Sequence, residues 1–266
     1  MKVADYNDLP DCETYQDGAG AGSSCVPEKG ATANSFFRAA NYPAGAVDPT
    51  HPDRVVVTFG SYINRHSNED NGCVPAGFSE DTGNPLYEGV KTVGACNNDI
   101  LVSVSDDGGA SFTGGDADVR ELASATSAGR QRTTDQWFQW AAFTRDGKLA
   151  TSYYDRQYGD DELTGWSDFS LSGSRGLRDF GVVRVTSSSM PPPTQFAGGF
   201  FGDYTGLAAD RVAYPAWSDT RTPAPVLCPG SGTPGHPPQL CVTPAPNAPY
   251  NNDQEIYVAA VRVPSG

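Results

Sequence analysis

Three arginines close strand-like runs in this sequence: Arg65 beyond Val55-Val56-Val57-Thr58-Phe59, Arg156 after Leu149 to Asp155, and Arg221 after Val212 to Thr220. Two of them carry a nearby aspartate, as Asp155-Arg156 and Asp219-Thr220-Arg221. Ahead of other strand-like runs lie Asp135-Gln136-Trp137 and Asp203-Tyr204. Together these types could build a glycan site. Guanidinium groups clamp a carboxylate through paired hydrogen bonds, an aromatic ring covers a sugar face, and an Asp carboxyl moves a proton. On that reading Asp203, Tyr204, Arg221 and Arg156 are the catalytic candidates, and Arg65, Asp135, Trp137, Asp155 and Asp219 bind substrate. The competing reading is architectural. An arginine that recurs at one position of each repeat suits a staple between neighbouring units, because a catalytic group is needed once. Asp203-Tyr204 is the less repetitive pair and so the better site candidate.

The elements that position these residues follow a repeated grammar. Short runs at 41–47, 137–143 and 203–209 each lead through an Asp-containing turn into the arginine-ended strands, with alternation suited to half-buried β-structure. A polar loop follows each arginine. Third strands are then expected at Asp99–Ser105, Asp179–Val185 and Asp253–Ala259, and Val3-Ala4-Asp5-Tyr6 is expected to end a second strand. This grammar predicts an all-β chain, a β-propeller of four-stranded antiparallel blades. Residues 1–40 would be the end of a preceding blade, with 41–126, 127–200 and 201–266 as three further blades of one domain. That is too few to close a usual ring, so an incomplete ring is expected, a fragment of a six- or seven-bladed propeller. Turn positions would place the arginines, the residues ahead of the first strands and the long loops on one rim.

Composition bounds the setting. Among 266 residues there are 30 Gly and 21 Pro, which disfavours long helices. The formal net charge of -14 repels a phosphate backbone, so nucleic acid is not an expected partner. No apolar run is long enough to cross a bilayer, and Met1 to Asp5 does not open a signal peptide. Six cysteines fall in polar loops as Cys12 and Cys25, Cys73 and Cys96, and Cys228 and Cys241, without metal-ligand spacing. Six cysteines allow 15 pairings. Sequential disulfides, formed outside the cytosol in a secreted or cell-surface protein, are expected. No cofactor is expected, and calcium is the one ion left open, because Asn68-Glu69-Asp70-Asn71-Gly72 matches part of a calcium loop. The expected partner of this monomer is an extracellular glycan or glycoprotein.

Ser105-Asp106-Asp107-Gly108-Gly109-Ala110-Ser111-Phe112 follows one of the third strands. In such a turn Asp107 can accept backbone N–H bonds, Gly109 can take positive φ, and Phe112 can plug the blade. The octapeptide resembles the Asp-box (BNR) repeat of sialidase-like β-propellers, with Ser105, Asp107, Gly109 and Phe112 as its defining positions. Gly202 to Ala208, Trp217 to Arg221 and Tyr153 to Arg156 are similar to stretches of secreted bacterial proteins of that type, and the resemblance spans most of residues 41–262. It implies a sialidase-like glycoside hydrolase, a retaining exo-glycosidase with arginines on the substrate carboxylate, a Tyr–Glu nucleophile pair and an Asp acid/base. It also implies that the Asp box is structural and lies away from the active face. The family's Phe-Arg-Ile-Pro element has its nearest echo in Phe37-Arg38-Ala39-Ala40, which lacks the proline. The alternative is a non-catalytic secreted propeller that binds carbohydrate or protein through its loop-rich rim.

Overall fold

A computed structural model of the chain describes residues 1–16, 22–31, 36–193, 202, 204–223, 225–242 and 254–266. The protein is mostly β, built as several small antiparallel sheets, none of them closed. In chain order, β1 (Cys25–Pro27) pairs with β2 (Phe36–Arg38). Next, β3 (Ala44–Val47) and β4 (Val55–Ser61) form a hairpin. A side hairpin of β5 (Val74–Phe78) and β6 (Pro85–Glu88) follows. The chain then returns through β7 (Asp99–Ser105) and β8 (Ala123–Ser124), giving the four-stranded order β3-β4-β7-β8. A second four-stranded sheet runs β9 (Gln136–Phe143), β10 (Leu149–Asp155), β11 (Asp168–Ser174) and β12 (Gly181–Arg184). In the last part, β13 (Gly206–Ala209) and β14 (Ala213–Asp219) are joined by β17 (Glu255–Val258), and β15 (Pro225–Leu227) and β16 (Leu240–Val242) make a separate hairpin.

Two sequence expectations are corrected here. The third strand of the second sheet is Asp168–Ser174, and the segment expected there, 179–185, instead supplies the fourth strand. Asp168-Phe169-Ser170-Leu171-Ser172-Gly173-Ser174 is buried at every position: Phe169 and Leu171 enter the core, and the small residues between them fit between packed layers. Val3 to Tyr6 forms no strand; the Val3 carbonyl accepts from Ser103 Oγ (2.9 Å) as the segment passes beside β7.

Side-chain packing joins the sheets. Val56, Ile100 and Val102 of the first sheet meet Ala141, Phe143, Leu149 and Tyr153 of the second. Ala150 and Leu171 of the second meet Ala213 and Val263. An aromatic ladder crosses the larger core: Phe37 to Trp137 (4.9 Å), Trp137 stacked on Tyr154 (5.7 Å), Tyr154 edge-on to Phe169 (5.0 Å), and Phe169 stacked on Trp217 (5.1 Å). Offset and edge-on ring pairs of this kind contribute roughly 0.5–1.5 kcal/mol beyond their buried area.

The disulfides are Cys12–Cys25, Cys73–Cys96 and Cys228–Cys241, as the sequence suggested. Closing loops of these lengths stabilises the fold by about 3 kcal/mol each in the chain-entropy account. They are consistent with an oxidising, extracellular environment. Among the described residues no helix is long and apolar enough to cross a membrane.

The turn after β7 makes the bonds its residue types predict. Asp107 Oδ1 accepts the Ser111 N–H (2.9 Å) and the Ser105 hydroxyl (2.7 Å), and Ser105 Oγ accepts the Gly109 N–H (2.9 Å). These hydrogen bonds, the Ser105 hydroxyl first, pull the Asp107 carboxyl down to about 2. Gly109 sits at φ +90°, where a Cβ would strain the backbone. Phe112 is half-buried. The Gly108 N–H reaches the Asp53 carbonyl (2.8 Å), so this turn and the β3–β4 turn share one end of the sheet.

Candidate functional site

Several of the sequence-nominated residues do meet, inside the protein. Asp135, Trp137, Asp155 and Arg156 are each fully buried where β9 begins and β10 ends. The Arg156 N–H bonds to the Asp135 carbonyl (3.1 Å), and the Arg156 guanidinium lies 5.2 Å from the Trp137 ring centre while Nη1 donates to the Pro27 carbonyl (2.8 Å). Arg156 thus ties the N-terminal segment to the second sheet. A residue that sequence reasoning passed over completes the cluster. Lys29 is fully buried, with Nζ 3.2 Å from Asp135 Oδ2 and bonded to the Cys96 carbonyl (2.5 Å). Among the described residues, Arg156 Nε and Nη2 and the Trp137 indole N–H have no hydrogen-bond partner. Asp155 accepts from Gln131 (3.0 Å) and Gln157 (2.8 Å) side chains, while burial pushes its carboxyl up.

The other nominated residues are elsewhere. Arg221 folds back on Asp219, with Nη2 2.7 Å and Nε 2.9 Å from its carboxylate oxygens, donates to Ser187 (2.8 Å) and packs over Tyr257. Arg65 donates to the Glu121 carbonyl (3.2 Å) from an exposed position. The three arginines therefore serve three different partners. Asp203 lies outside the described residues. Asn68 caps a single turn at Glu69–Asn71, and Glu69 pairs with Arg120 (2.7 Å). Among the described residues no group of three His, Cys, Asp or Glu side chains is placed to hold a metal.

Tyr204 borders one open cleft. It is 74% exposed and borders a cavity of about 460 Å³ with Asp8, Arg38, Tyr42, Asn84 and Phe138. Tyr42 stacks on Phe138 (5.7 Å) and approaches Tyr204 (6.1 Å). Phe138 holds φ +52°, unusual for an aromatic residue, where β9 slips register against Ser152 and Tyr154 of β10. This β-bulge places two residues of β9 opposite one of β10 and so re-aims side chains. The strained backbone at the cleft wall is held by a bond from Thr205 Oγ1 to the Phe138 carbonyl (2.8 Å). Gln139, next along, donates to the Tyr42 and Thr58 carbonyls and fixes the opposite wall. Asp8 accepts the Leu9 (2.8 Å) and Asn41 (3.0 Å) N–H groups, yet burial outweighs them and raises its carboxyl. The cleft offers ring faces beside a guanidinium, a carboxyl and an amide.

A second cleft, of about 550 Å³, was not found from sequence. Tyr158, Asp160, Asp161, Trp166, Arg184 and Ser189 line it. Asp168 lies behind, fully buried, accepting from Arg184 Nε (2.8 Å), Thr186 Oγ1 (2.5 Å) and Ser189 Oγ (2.8 Å). Arg184 also lies 4.5 Å over the Tyr158 ring. Asp161 has a weaker set, a single Ser189 hydroxyl at 3.3 Å. Burial first, then the neighbouring Asp168 carboxylate, pushes Asp161 up to about 7. Glu162 follows it on the single-turn helix Asp161–Thr164; burial pushes it up also, against the pull of Lys29 and Arg156. The signal available in sequence was the run Gly159-Asp160-Asp161-Glu162 with Trp166 soon after, a run that by itself reads as a solvated loop.

Comparison with models of known protein families, with curated proteins and with solved structures finds no match.

Proposed function

We propose that this protein is an extracellular carbohydrate-binding β protein whose ligand site is the cleft between Tyr42, Phe138 and Tyr204. One observation carries this reading. Ring faces line an open cleft whose remaining wall is polar, with Arg38, Asp8 and Asn84 beside them. Sugars present an apolar face to rings and hydroxyls to such polar groups. The resemblance of 105–112 to the Asp-box repeat, and the two four-stranded sheets, support a propeller fragment as the scaffold. The predicted arginine clamp is not part of the proposal, because Arg156 and Arg221 are engaged with Pro27 and Asp219. The test is a glycan array followed by calorimetry on the best oligosaccharide. Tyr204→Ala is expected to weaken binding about tenfold or more, a loss of roughly 1.4 kcal/mol, with the melting temperature unchanged; unaltered affinity would refute the site.

A second reading, glycoside hydrolysis of the sialidase-like kind, is favoured by Asp161. A carboxyl that keeps its proton near neutrality, in a cleft with Trp166 and Tyr158, has the property required of a general acid. A fluorogenic sialoside measures it. Turnover removed by Asp161→Asn would establish the hydrolase, whereas no turnover in folded, disulfide-intact protein leaves binding as the function.

A further inference from the structure

The two larger sheets each end on a fourth strand, β8 beside β7 and β12 beside β11, but among the described residues the sheet β13-β14-β17 stops at its third. Its last strand is exposed throughout: Ile256 at 81%, Val258 at 66% and Tyr257 at 36%. Edge strands are ordinarily protected by short length, charge, Pro, a bulge or a covering segment. Glu255-Ile256-Tyr257-Val258 is short and carries Glu255 at one end, but it has no lysine, proline or register shift. We propose that this edge is a homodimer interface, at which β17 pairs antiparallel with β17 of a second copy.

The backbone fixes the register. Val261 and Ala213 exchange both of their hydrogen bonds, and the Ala259 N–H bonds to the Pro215 carbonyl. Alternation then directs the N–H and C=O groups of Tyr257 and Glu255 to β14, and those of Ile256 and Val258 outward. Ser218 agrees: its N–H and C=O bond to the Tyr154 hydroxyl (3.1 and 2.9 Å), away from its neighbour Ile256. An added antiparallel strand must therefore bond through Ile256 and Val258. With a second copy this is satisfied by a two-fold axis at Tyr257. Ile256 of each copy lies opposite Val258 of the other and exchanges both bonds with it, and the two Tyr257 residues face one another. Glu255 then lies opposite Ala259, so no like charges meet. Self-pairing would cover the two most exposed apolar side chains of the strand with each other and complete the sheet with a fourth strand, and this self-complementarity selects a second copy as the occupant.

Sedimentation velocity over a dilution series up to about 100 µM reads the interface. The expected result is a monomer–dimer equilibrium. Ile256→Lys should weaken it at least about tenfold, and so should Val258→Pro, which removes an outward N–H without touching the β14 ladder. Tyr257→Cys should cross-link into a covalent dimer under mild oxidation, and this readout decides the matter if either substitution lowers the melting temperature. A monomer at all concentrations would overturn the proposal. So would a dimer that survives both substitutions, or a Tyr257→Cys variant that stays uncross-linked.

Discussion

The aromatic cleft and the carboxyl cleft flank the same buried charge cluster in opposite ways. The first is set by strands: Phe138 is aimed by a bulge in β9 and held by Thr205, while Gln139 fixes the backbone of Tyr42. Its ring faces are untouched by pH, and Asp8 is the carboxyl in its wall that burial raises. The second rests on a single helical turn, Asp161–Thr164, whose first two carboxyls are both pushed upward by burial. A preformed cleft on rigid strands suits recognition of a neutral ligand. A cleft whose acids titrate near neutrality suits proton transfer or a response to pH. On the proposed reading, binding belongs to the first region and protonation chemistry to the second.

The largest expected effect falls on the cluster between them. Asp135→Ala would remove the carboxylate 3.2 Å from the fully buried Lys29 and leave Glu162 as the carboxyl still acting on it, and breaking a buried charge pair costs about 3–5 kcal/mol. Chemical unfolding should show a loss of that size, and a change below about 0.5 kcal/mol would mean that Lys29 is solvated in solution. The pH dependence comes next. Asp161 and Glu162 have folded-state values raised to about 7 from ordinary values near 4. The folded protein therefore binds more protons than the unfolded chain in that window, so their contribution to stability is complete in acid and is lost as pH rises to about 7. The unfolding free energy read from urea titrations should fall from pH 5 to pH 8, by an amount on the order of a few kcal/mol. Asp161→Asn and Glu162→Gln together should flatten that slope; a slope of opposite sign would break the contrast between the clefts. The smallest effect is expected of Tyr204→Ala on stability, within about 0.5 kcal/mol, since the side chain is exposed.

Features set by local chemistry were legible in the sequence. The disulfides follow from short spacings in polar loops, and β4, β7, β10 and β14 from alternation near clear turns. The turn at Ser105 to Phe112 follows from its Asp and Gly positions. Features set by non-local packing were hidden. Asp168–Ser174 offers only Phe169 and Leu171 as apolar signal among serines and a glycine, although burial on both faces is what selects small residues there. Lys29 gives no sign of interior placement, because its carboxylate partner comes from a distant strand. Tyr204 was nominated from the sequence and borders the aromatic cleft, while Tyr42 and Phe138 come beside it only through the fold. The arginines were legible as a repeat but not as separate: their partners, Pro27, Asp219 and Glu121, belong to different neighbourhoods.

Saturation-transfer NMR with a fixed oligosaccharide panel that includes sialyllactose, recorded on the wild type, Tyr204→Ala and Asp161→Asn, tests the assignment of binding to the aromatic cleft most directly. Transfer to a panel member that vanishes in Tyr204→Ala and persists in Asp161→Asn is the predicted result. Transfer that persists in Tyr204→Ala and vanishes in Asp161→Asn would contradict the account and move the sugar to the carboxyl cleft.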